Sequence, residues 1–91
     1  MKPEMVRSPK KWVHDVHVIY TDDTEGWSVA ELQWLHQEDN QLRPRVGLRW
    51  DGLEHEIGNP QSSGHSTWFL LPEGAISEMV LAHAQKLAGT P

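Results

Sequence analysis

R-W-D-G-L-E-H-E-I-G-N-P-Q-S-S-G-H-S-T-W-F-L-L-P, residues 49–72, places two short apolar runs, each with a tryptophan, around a loop of mostly turn-forming and polar residues. The run after the loop, Thr67–Leu71, is short and nearly continuous in apolar character, as suits a well-covered strand. The run before it, Arg45–Trp50, alternates cleanly. That pattern predicts a strand with Val46, Leu48 and Trp50 inward and Arg45 and Arg49 outward. Asp51-Gly52 is a strong turn dipeptide. From Leu53 to Ser66 no period is visible, and Gly58, Asn59, Pro60 and Gly64 all favour turns. A structureless excursion of more than about 12 residues is uncommon in a compact domain unless it carries function or is disordered. The loop therefore draws attention as a site.

Upstream, Trp12–Tyr20 reads as a strand, with Trp12, Val16, Val18 and Tyr20 sharing one side. Thr21–Gly26 is a polar hairpin loop. In Trp27–Leu35, Trp27 and Val29 share one parity, while Leu32 and Trp34 share the other. A bulge near Ala30-Glu31 would bring both pairs to one face. Downstream, Pro72 is expected to open a helix, since proline suits the first helical position and Glu73 favours the N-terminal dipole. Ile76, Met79, Val80, His83, Ala84 and Leu87 recur at the spacing of one buried stripe, and Gly89 with Pro91 closes the element. The expected fold is α+β: a four-stranded antiparallel sheet with one C-terminal helix packed on one face. The other face would be partly bare. Residues 1–11, with Pro3 and Pro9 and no period, read as a flexible basic arm before a single domain at 12–91.

The chain has 91 residues and a net charge of −5, unevenly spread. Residues 1–13 carry +3 through Lys2, Arg7, Lys10 and Lys11 against Glu4, whereas residues 14–60 carry −7. A body this acidic repels phosphate backbones, which argues against direct nucleic-acid binding by the folded part. With no cysteine, disulfides and thiolate metal sites are excluded. No run approaches the ~18 apolar residues of a membrane span, and the N-terminal residues lack the apolar core of a secretory signal. A cytoplasmic location is the expectation.

Six histidines invite a metal reading. His14 and His17, three apart on a strand, point to opposite faces, and His55 stands between Glu54 and Glu56 on alternating sides. No ligand cluster follows, and neither a metal nor another cofactor is expected. A nucleophilic site at Ser62 or Ser63 with His65 lacks the G-x-S-x-G elbow. Metal-free ribonuclease or hydrolase chemistry using His65 as base and Arg49 as the anion stabiliser has the right residue types, against an unfavourable acidic field.

Asn59, Gln61, Ser62, Ser63, His65 and Thr67 offer many donors and acceptors within nine residues, and Gly58 and Gly64 permit close backbone approach. Arg49 and Asp51 could anchor this loop as a charge pair. Trp50 and Trp68 read as core, leaving Trp12, Trp27 and Trp34 in excess of one small core. The string R-W-D-G … I-G-N-P-Q-S-S-G … T-W-F-L-L-P resembles small uncharacterised bacterial proteins sharing an R-W-x-G, G-N-P-x-S-x-G, T-W-F-x-L-P pattern. That resemblance spans residues 46–80, implies a bacterial or mobile-element origin and carries no activity. The residues together point to a non-enzymatic protein- or ligand-binding module using an open sheet face and the Gly58–Thr67 loop. Its binding residues would be Trp27, Trp34, Arg49, Asn59, Gln61, Ser63 and His65. A protein partner or a homodimer fits that reading. An alternative is an acidic mimic of nucleic acid built on Asp15, Asp22, Asp23, Glu25, Glu31, Glu38 and Asp39, which would inhibit a host protein.

Overall fold

A computed structural model describes residues 1–89. Three ten-residue strands, β1 (Val13–Asp22), β2 (Trp27–His36) and β3 (Gln41–Trp50), form an antiparallel meander. A two-residue hairpin, β4 (Gln61–Ser62) with β5 (His65–Ser66), rises from the long connection. The chain then returns as β6 (Phe69–Leu70) beside β3 and ends in α1 (Ala75–Leu87). The main sheet order is β1-β2-β3-β6, so the expected α+β architecture is the observed one. Among the described residues, no helix is long and apolar enough to cross a membrane.

The mixed parity of β2 has a different origin from the bulge expected at Ala30-Glu31. The β2–β3 register runs without a shift from Trp27↔Trp50 to His36↔Gln41. Side chains therefore alternate strictly, and β2 simply buries residues on both faces. Val29 packs towards α1 with Val46, Leu71 and Ala84. Ala30 and Leu32 pack on the far face with Val6, Val13, Val16 and Trp68. The irregularities fall instead in β1, between Val13 and Asp15 and between Val18 and Tyr20. The second one makes Ile19 an extra residue, so Val18 pairs with Ala30 while Tyr20 pairs with Val29. Val18 and Tyr20, expected on one side, consequently serve opposite faces.

The far face is not bare. Residues 1–11, read from the sequence as an arm, make a 3-10 turn at Pro3–Met5 and then lay Val6 against this face, with Met1 beside it. Val6 is 1% exposed, and the Trp68 indole N–H donates to the Val6 carbonyl at 2.8 Å. Trp68 also lies over Gly47, where a Cβ would come within 3.2 Å of Trp68 Cβ and of Leu32 Cδ1. A side chain at position 47 would lift the indole from the sheet.

The helix begins later than Pro72. Arg45 donates through Nη2 to the Leu71 carbonyl at 2.8 Å and faces Glu73 at 3.8 Å, holding residues 71–73 outside the helix. Gly74 then turns the chain with φ +99° before Ala75. Pro91, expected to follow the helix, lies outside the described residues. Of the apolar stripe only Ala84 is buried, while Ile76, Met79 and Leu87 remain exposed. Val80 and Leu81 are half-buried against the same cluster as Ile19 and Tyr20 of β1. Thus α1 covers part of its sheet face and leaves the region over β3 and β6 open.

Candidate functional site

The open region is a groove of about 780 Å³ between α1 and the β2–β3–β6 side of the sheet. Val29 and Leu48, cross-strand partners, form its sheet floor. Trp27 and Trp50 are the next same-face pair along the ladder. Tyr20 supports Trp27 from the other side, with ring centroids 5.6 Å apart. Phe69, opposite Leu48, adds the β6 edge and is 60% exposed. From the helix come Met79, Ala84 and Leu87, with His83 beside them. Trp50 is 56% exposed and Met79 is 67% exposed, both in reach of an occupant.

Asn59 and Pro60 of the long connection complete one end of the groove. They are held there by backbone pairing: Trp50 N–H donates to Asn59 O at 2.7 Å, and Asn59 N–H returns to Trp50 O at 2.8 Å. Gly58 makes this approach possible. Its φ is +69°, and a Cβ would fall onto the Trp50 carbonyl and against Arg49 Nη2. The hairpin tip at Ser63-Gly64 also has positive φ at both residues, 51° and 78°. Two successive left-handed residues are what a two-residue hairpin turn requires.

Beneath the connection lies Arg49. The sequence pattern places it outward, but it is 2% exposed and sits on the far face opposite Ser28. The same alternation puts Trp50, expected in the core, at the groove mouth. Every nitrogen of the Arg49 guanidinium has a protein acceptor. Nε donates to Asp51 Oδ1 at 3.2 Å, Nη1 to Thr67 O at 2.6 Å, and Nη2 to Ile57 O. Asp51 is completed by Ser28 Oγ, 2.5 Å from Oδ2, and Ser28 in turn meets Thr21 Oγ1 at 2.9 Å. The cation also stands over the Trp68 ring, 5.9 Å from its centroid. Burial pushes the guanidinium pKa down from its ordinary value, and the Asp51 charge and hydrogen bond oppose that shift. Because Ile57 and Thr67 are the two roots of the 58–66 excursion, one buried side chain grips the loop at both ends. The anchoring pair read from the sequence is therefore present, as an interior clamp.

The seven residues singled out from the sequence separate into three places. Trp27 and Asn59 line the groove, and Arg49 contributes to its wall while facing inward. Gln61, Ser63 and His65 are exposed on the small hairpin, where Gln61 Nε2 donates to Gly58 O at 3.3 Å. Trp34 lies on the far face, packed against the cluster beneath residues 1–9 and 6.2 Å from the Trp12 ring centroid. It does not share a surface with Trp27. Trp50, Phe69, Met79 and Leu87 were missed as site residues because their spacing is that of ordinary core. A second, smaller hollow of about 190 Å³ touches His65 and the N-terminal segment. Among the described residues, no three His, Asp or Glu side chains are grouped to hold a metal ion.

No protein-family model, curated protein or solved structure matches the chain.

Proposed function

We propose that the chain is a non-enzymatic binding module and that its binding surface is the groove between α1 and the β3–β6 side of the sheet. The observation that carries this reading is the exposure of Trp50, Phe69 and Met79 around one concavity whose end is built by Asn59 and Pro60. Several large apolar side chains left in water on one concave surface mark a recognition site, because closing over them recovers the burial that folding did not. The loop contributes less through the hairpin tip than through Asn59 and Pro60, which the Arg49 clamp presents to the groove.

The test uses indole ¹⁵N resonances of the five tryptophans, recorded against a panel of apolar fragments and amphipathic peptides. A binder is expected to move Trp27 and Trp50 together and leave Trp12 and Trp34 in place. Binders that move only Trp12 and Trp34 would transfer the site to the far face. A panel that moves none of them would remove the binding reading.

A further inference from the structure

Resting on that reading, we infer that the groove takes an uncharged, mainly hydrocarbon small molecule, oriented by a single polar group at the Asn59 end. The volume is the first argument. About 780 Å³ lies inside the 300–1,000 Å³ range of pockets that enclose drug-sized ligands.

Charge is the second. Among the described residues, no lysine and no carboxylate lines the groove. Arg49, at its wall, is 2% exposed, paired with Asp51 and turned to the far face, where each guanidinium nitrogen already serves Asp51, Thr67 O or Ile57 O, so its charge is not offered to a ligand head. An ionic ligand would lose hydration here without gaining a counter-charge. An uncharged one loses little. The exposed Asn59 amide offers both a donor and an acceptor at the rim, and His83 offers a ring nitrogen across from the sheet.

Shape is the third. A two-fold axis through the groove would set concavity against concavity, so a second copy would seal the rims and leave the hollow unfilled. Both copies would also bring a charge of −5 to the contact. The aromatic side chains of Trp27, Trp50 and Phe69 instead supply apolar wall to a slender occupant, and the unbranched Met79 can adjust to its outline.

The experiment is a fluorescence titration with N-phenyl-1-naphthylamine, an uncharged apolar probe, followed by competition with decanol, decanoate and decylammonium. Saturable one-to-one binding is expected, with decanol displacing the probe at least tenfold better than either ion. Phe69→Glu and Met79→Glu, both at exposed positions, should each weaken probe binding at least tenfold, while Trp34→Phe on the far face should not. Equal competition by the ions, or insensitivity to Phe69→Glu, would overturn the inference. So would absence of probe binding. If in that case an amphipathic peptide still moves the Trp27 and Trp50 indoles, the ligand class alone is wrong. If nothing moves them, the binding module falls with it.

Discussion

Replacing Arg49 with methionine probes the link between the buried ion pair and the loop. The methionine approximates the volume of the arginine stem but supplies none of the donors to Asp51, Thr67 O and Ile57 O. Ser66 Oγ still serves Ile57 O at 2.8 Å, and Ser28 Oγ still serves Asp51 Oδ2. The Asp51 charge and the Thr67 carbonyl lose their partner. Both side chains of the pair are shielded, at 0% and 10% exposure, so the cost follows the buried regime. Removing one member of such a pair costs about 3–5 kcal/mol. A chain this size has a total stability of roughly 5–14 kcal/mol. At about 4–8 °C per kcal/mol for a small domain, Tm should fall by roughly 12–40 °C. Urea unfolding of Arg49→Met, Asp51→Asn and the double variant gives the coupling directly. The double variant should recover at least ~1 kcal/mol of the single losses, because no unpaired charge remains inside. Arg49→Met within about 1 kcal/mol of the parent, with negligible coupling, would refute the clamp.

Gly58→Ala should cost about 1–3 kcal/mol for the left-handed backbone alone. Its contact with the Trp50 carbonyl adds to that, so hydrogen exchange should accelerate across residues 53–66. Trp68→Phe removes the bond to the Val6 carbonyl and should lower stability by about 1–3 kcal/mol, leaving the N-terminal segment open to limited proteolysis. Phe69→Glu, whose ring is exposed, should change the urea midpoint by no more than about 0.5 kcal/mol in free energy.

Much of the fold was legible because period and turn chemistry are local. The strands around Gly26 and Asp51-Gly52, the return at Trp68 and the helical stripe all follow from spacing. Which face each residue serves was less legible. The alternation of Arg45–Trp50 is consistent with either side being buried, and composition favours hiding tryptophan over arginine. The deciding facts are long-range: Asp51, Ile57 and Thr67 satisfy Arg49 on the far face, while Trp50 stays 56% exposed at the groove. The Ile19 irregularity is similarly silent, because the extra residue is apolar like its neighbours. Residues 1–11 have no period, yet Val6 supplies both a buried side chain and the carbonyl that pairs with Trp68. The groove residues Met79 and Leu87 of α1 carried the spacing of core, and only their exposure in the folded chain separates them from it.

Hydrogen exchange of the indole N–H groups tests the central claim most directly, since the sheet is covered on the far side and open beside the helix. The Trp68 proton, buried and bonded to Val6 O, should exchange only with global unfolding, whereas the Trp50 proton should exchange at nearly the rate of free indole. Equal protection at both positions, or fast exchange at Trp68, would contradict it.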